Sequence, residues 1–368
     1  MGVMPERRYP IVNTKIRTRL LGISFAAAIA LAACGGAAAP AATAAPAKPT
    51  EAPKPTKLTV LCTVTEDWCV AQTKAFEAKT GIKTTFTRLS SGEAATKLKA
   101  TANNPEYSVW WGGPADGFVQ AKGDGTLAAY KSPNAAKIQD KAKDPDGFWT
   151  GVYVGALGFC SNKVELDKLG LKPPTSWNDL LDPKLKSKFS VAHPATSGTS
   201  YTMVWTQVVL LGSEDKAFEY LKALHPQVAQ YTKSGAAPAQ AVGRAEAVVG
   251  VVFSHDCVAA VDAGFKDVVV SFAKEGTGYE IGAMGLVKGG PEEAAAKMWI
   301  DWALTAEAQE IGPTAKAYQL PTNPDAKVSD RSVKLSEVNL INYDFIKAGT
   351  AKKGITTKFE EAIAAQPK

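Results

Sequence analysis

SVAHPATSGTSYTMVW, residues 190–205, decides how the rest of the chain is read. It opens on a short apolar run, passes through Pro194 into Ala195-Thr196-Ser197-Gly198-Thr199, and resumes with Tyr201, Val204, Trp205 and Val208 at helical spacing. The pattern predicts a strand, a loop and a helix start. A helix start leaves N–H groups unpaired at the positive end of its dipole, Gly198 admits close approach, and Ser197 and Thr199 add hydroxyls. An anion would sit well there. A plain serine N-cap in a surface turn carries the same signature, so the meaning of the turn depends on its surroundings.

Working outward, the same unit recurs. Residues 58–62 form an apolar, β-branched strand, 68–79 a helix stopped by Gly81, and 82–88 a second strand. Ser90-Ser91-Gly92-Glu93 opens a helix over 94–102, and a strand over 107–111 ends in Gly112-Gly113-Pro114. Such βαβ repetition predicts a largely parallel sheet covered by helices, with ligand at the carboxyl ends of the strands. The polar turns 63–67, 90–93 and 112–116 fall at those ends. A second series follows. The apolar stretch VYVGALGF within 148–160 is long enough to cross from one lobe to another, and residues 228–231 form a strand. Ser234-Gly235-Ala236-Ala237-Pro238 precedes a helix over 239–244, and a buried strand over 248–252 ends in Phe253-Ser254-His255-Asp256. Strands over 268–272 and 281–287 flank a turn that ends at Glu280.

Composition bounds the function classes. The chain has 368 residues and a formal charge of +6, but its first 33 residues carry Arg7, Arg8, Lys15, Arg17 and Arg19 against Glu6 alone. The remainder is nearly neutral and has no basic patch with interleaved aromatics, which gives no basis for nucleic-acid binding. Those basic residues precede an apolar run over 20–30 that is too short to span a bilayer, then Leu31-Ala32-Ala33-Cys34-Gly35. The segment resembles a bacterial lipoprotein signal, which implies removal of residues 1–33 and lipid modification of Cys34. An ordinary cleaved signal with a chance cysteine is the other reading. Residues 34–56 are nearly all Ala, Pro, Thr, Gly and Lys, a tether that cannot bury a core. The globular part is expected outside the cytoplasmic membrane, where disulfides persist. The short loop from Cys62 to Cys69 could close one. Cys160 and Cys257 would pair by elimination, and buried free thiols remain open for both pairs.

The chain resembles the extracellular solute-binding proteins of bacterial ABC importers, in the branch that takes ferric iron, phosphonates or hexose phosphates. The resemblance rests on TKAFEAKTGIKTTFTRLSSGEA, SVWWGGPADGFVQAKGDG, PPTSWNDLLDP, VAHPATSGTSYT, YTKSGAAPAQAVGRAEAVVGVVFSHD, SFAKEGTGYEIGA and YQLPTNPDA. It implies an α/β, two-lobe periplasmic-binding-protein fold of type II-like topology, with the ligand cleft between lobes. Lobe 1 is expected over 57–153 and 276–322, and lobe 2 over 154–275 and 323–368. The implied partners are a small anionic ligand and an ABC permease in the cytoplasmic membrane, with the receptor a lipid-anchored monomer that needs no cofactor.

In ferric members of the family, adjacent tyrosines, a histidine and a glutamate hold the metal. By resemblance the tyrosine pair falls on His255 and Asp256, the histidine on Thr65 and the glutamate on Gly113, so the phenolates that suit a hard ferric ion are gone. The anion turn remains. A phosphorylated polyol is therefore expected, its phosphate on Ser197, Gly198 and Thr199 with Ser234, Gly235 and Ala236 as a second cradle, and Ser91 nearby. Glu66, His255, Asp256 and Glu280 would read hydroxyls, and one of Trp110 and Trp111 would offer a flat face. Ferric iron is the alternative ligand. Catalysis by Ser197, His255 and Asp256 is disfavoured, because the serine is not in a G-x-S-x-G elbow and a histidine is poorly oriented by its sequence neighbour.

Overall fold

The computed structural model describes residues 54–368, so the signal segment, Cys34 and most of the tether lie outside the described residues. The strands are β1 (Lys57–Cys62), β2 (Lys83–Arg88), β3 (Val109–Pro114), β4 (Leu127–Ala128), β5 (Thr150–Asn162), β6 (Phe189–Ala192), β7 (Val228–Thr232), β8 (Val249–Phe253), β9 (Val268–Ser271), β10 (Tyr279–Val287) and β11 (Leu320–Pro321). The helices are α1 (Glu66–Thr80), α2 (Ser91–Ala100), α3 (Ala115–Gly123), α4 (Lys163–Lys168), α5 (Gly198–Leu211), α6 (Glu214–Leu224), α7 (Ala237–Gly243), α8 (Ser254–Asp262), α9 (Glu293–Ala303), α10 (Ala306–Gln309) and α11 (Phe345–Phe359). None is long and apolar enough to cross a membrane.

Strand order is β2-β1-β3-β10-β5-β8-β6-β7, with β4 beside β10 and with β9 and β11 beside β5. The β1–β2, β1–β3, β6–β7 and β6–β8 pairs are parallel, as the βα repeats require. The thirteen residues of β5 join the two halves of this sheet. Its first part, from Thr150 to Ala156, lies antiparallel to β10. Its second part, from Leu157, pairs with β8 and β9. Apart from Val154, every residue of β5 is buried, which explains why it reads as a continuous apolar run.

Trp110 and Trp111 are both core residues, which corrects the expectation that one would face a ligand. Trp110 stacks on Phe118 at 3.9 Å, and Trp111 meets Trp68 and Trp299 edge-on. The strand that carries them is covered on both faces. Cys62 and Cys69 are disulfide-bonded, as are Cys160 and Cys257. The second bridge ties β5 to the first turn of α8 across 97 residues of chain. The last long helix, α11, packs on both α3 and α5. There Lys352 meets the buried Asp116 at 2.5 Å, and the Tyr201 hydroxyl donates to the Ala348 carbonyl at 2.5 Å.

Candidate functional site

The parallel topology brings the N-termini of α1, α2, α3, α5 and α8 to one cavity between the two halves of the sheet, with about 480 Å³ of empty space counting its open mouth. All five helices have nine residues or more, so each directs the positive end of a real dipole inward. Of the residues expected to bind ligand, Thr65, Ser91, Gly113, Ser197, Gly198, Thr199, Ser234, Gly235, Ala236, His255, Asp256 and Glu280 all line this cavity. Glu66 does not. It sits in the first exposed turn of α1, where the N-cap residue Thr65 points inward and its successor turns out to solvent.

Two chemically different groups face the cavity. The first is rich in hydroxyls and N–H donors. Ser197 caps α5, its Oγ accepting from the Ser200 N–H at 3.3 Å, and no hydrogen bond among the described residues joins it to His255. Gly235 packs so tightly on Thr199 and Ser197 that any side chain would displace their hydroxyls. Gly113, at φ +85°, is in the left-handed region and leaves room for Ser91 Oγ. The helix after Ser234-Gly235-Ala236 is only seven residues long, so this turn adds local donors more than a dipole.

Sequence reasoning missed the cation of this group. Among the described residues Arg88 is the only Lys or Arg lining the cavity, and its guanidinium donates to the Val64 carbonyl at 3.0 Å and to Ser234 Oγ at 3.2 Å. Burial lowers its pKa, opposed by Glu93, Asp256 and Glu66, but an arginine stays charged. Its signal was available, since it is the last residue of β2 and so lies at a carboxyl end. Tyr153 and Gln319 were also missed, and neither stands in a polar turn. The Tyr153 hydroxyl accepts from the Gly113 N–H at 2.9 Å.

The second group is acidic. His255 Nε2 lies 3.7 Å from Glu280 Oε1 and 3.9 Å from Asp256 Oδ2, and the ring fits because Gly155 of β5 has no Cβ. Burial sets the charges. Desolvation, then Asp256 and Asp116, push Glu280 well above the ordinary carboxylate range. Desolvation pushes Asp256 up to about 7 against the pull of Arg88. His255 is pushed down to about 3 by desolvation alone, because carboxyls that burial holds protonated give an imidazolium little to pair with. Burial thus disfavours the charged form of all three groups and leaves Asp256 near its midpoint at neutral pH. Thr65 Oγ1, His255 Nδ1 and Gln319 Oε1 are buried at this cavity with no hydrogen-bond partner among the described residues. Unpaired polar atoms in such a place are costly unless a ligand or water completes them.

An acid whose folded pKa lies above its unfolded value stabilises the fold below the unfolded value, and that contribution is lost as pH rises through the folded one. Asp256→Asn cannot ionise. Its melting temperature, relative to the parent chain, should therefore rise from about pH 4 and level off above about 7. A difference that does not change with pH would mean that burial does not hold Asp256 neutral.

Comparison with known proteins agrees with this geometry. The family described as bacterial extracellular solute-binding protein matches residues 116–348. The periplasmic binding protein AfuA of Actinobacillus pleuropneumoniae, solved with exogenous fructose-6-phosphate bound, is 40% identical, with a TM-score of 0.82 over 84% of this chain and 99% of that one. A Salmonella typhimurium periplasmic protein, provisionally named for 2-aminoethylphosphonate binding, is 24% identical over 74% of this chain and 79% of its own. The ferric binding protein of Campylobacter jejuni shares the two-lobe fold, at 19% identity and TM-score 0.69 over 83% of this chain and 99% of that one. The chain belongs to the bacterial extracellular solute-binding proteins.

Proposed function

We propose that this chain captures a phosphorylated sugar, or a related phosphonate, and delivers it without chemical turnover to an ABC permease. The carrying observation is that one cavity combines a donor-rich group with an acidic cluster whose charged forms burial disfavours. The starts of α1, α2, α3 and α5, Arg88 and the hydroxyls of Ser91, Ser197, Thr199 and Ser234 provide donors and positive potential for a dianion. Glu280, Asp256 and His255 offer donors and acceptors to hydroxyl groups, as the neutral end of such a ligand needs. Resemblance to a fructose-6-phosphate-bound protein supports the same reading. The donor set argues against ferric iron, since among the described residues Tyr153 is the one phenol lining the cavity and burial disfavours the ionised forms of both it and Glu280.

The two lobes of this reading are residues 57–153 with 276–322 and residues 154–275 with 323–368. The receptor works as a monomer, held by a lipid on Cys34 at the outer face of the cytoplasmic membrane. Cys34→Ser should appear in the soluble fraction of the cell envelope once its signal is cut. A parent chain that takes up no labelled fatty acid, or takes up as much after Cys34→Ser, would leave no support for a lipoprotein.

Ligand that binds only the folded state raises the melting temperature. In a panel of sugar phosphates, phosphonates, free sugars and ferric citrate, the phosphorylated compounds should stabilise the chain. Ser197→Ala should weaken their binding about tenfold to a hundredfold, the range for a hydrogen bond to a charged group. Asp256→Ala should blur discrimination among sugars while sparing inorganic phosphate. Stabilisation by ferric citrate alone, with silence from every phosphorylated compound, would overturn the reading.

A further inference from the structure

Gly92 occupies a position that the ligand reading does not use. It stands in the first turn of α2, whose start is fixed by a capping box in which the Ser90 N–H donates to Glu93 Oε2 at 3.2 Å. The Gly92 N–H has no partner within its own helix. It donates instead to the Thr196 carbonyl at 2.9 Å, in the turn that presents Ser197, Gly198 and Thr199. A Cβ on Gly92 would overlap the Ala195 carbonyl oxygen and lie 2.9 Å from its carbon. That obstacle is backbone, which cannot swing aside as a side chain would. The same seam is closed by Pro114 against Gly198, where an added Cβ would come within 2.6 Å of the proline ring, and by Arg88 on Ser234. At its rim, Lys233 pairs with Glu93 at 3.0 Å. Gly92 does not itself line the cavity.

We propose that Gly92 is a positioning residue. Its bare Cα lets the α2 start and the α5 start meet, and so brings Arg88 and Ser91 from one half of the sheet onto the same anion as Ser197, Thr199 and Ser234 from the other. A methyl group at this position holds the two halves apart and leaves each set of donors intact but unshared. The inference rests on the phosphorylated-ligand reading and adds to it a geometric requirement for closure.

Gly92 is not in the left-handed region, and alanine favours a helix, so Gly92→Ala should fold at least as well as the parent chain. The control is Gly354→Ala in α11, where a Cβ meets nothing within 4 Å. Small-angle scattering and calorimetry are run on the parent chain and both variants with fructose 6-phosphate. The parent and Gly354→Ala should compact on binding. Gly92→Ala should compact less and bind about tenfold more weakly or worse, with an unchanged or higher melting temperature in the absence of ligand. Parent-like affinity and compaction in Gly92→Ala overturn this inference alone, and so does a ligand-free melting temperature well below the parent's. Silence of the parent chain toward fructose 6-phosphate and every other phosphorylated compound of the panel overturns the ligand reading and this inference with it.

Discussion

A single strand must serve two sheets. β5 gives its first residues to β10 and its last to β8 and β9, so the two βα series approach each other with their strand carboxyl ends facing one cavity. Everything the site can do follows from that constraint. Parallel strands followed by helices place helix N-termini at the carboxyl edge, and five of them meet here. Gly155 within β5 leaves the space that His255 occupies, which couples the strand's own sequence to the acidic group.

Electrostatics then divides the cavity. Helix starts and the Arg88 guanidinium favour negative charge, whereas burial without a full set of partners penalises the ionised forms of Glu280 and Asp256. The outcome is one cavity with a donor-rich group that wants a dianion and a nearly neutral group that can exchange hydrogen bonds with hydroxyls. A second phosphate would gain nothing at the acidic group. Trp110 contributes indirectly: its Nε1 donates to Thr63 Oγ1, which in turn donates to the Gly112 carbonyl and fixes the end of β3 that carries Gly113.

Much of this was legible in the sequence, and for a definite reason. Turns such as Ser197-Gly198-Thr199 and Ser90-Ser91-Gly92-Glu93 announce themselves by residue type, and a parallel sheet gathers such turns on one edge. Arg88 closes β2 just before the polar turn that drew attention, so residue type alone did not single it out. Tyr153 and Gln319 reach the cavity from a crossing strand and from the approach to β11, positions that only tertiary structure defines. Glu66 and the tryptophan pair were misread by local pattern. One residue's offset at a helix start turns Glu66 outward, and a strand covered on both faces leaves neither indole for a ligand. Gly92 is legible as part of a helix start but not as a contact, since that depends on a carbonyl about a hundred residues away.

The central claim concerns orientation, and a crystal structure grown with fructose 6-phosphate tests it most directly. The account predicts the phosphate among Ser91, Ser197, Thr199, Ser234 and the Arg88 guanidinium, with the sugar hydroxyls toward His255, Asp256 and Glu280. A phosphate seated against Glu280 and Asp256, with the sugar on the Ser197 turn, would contradict it.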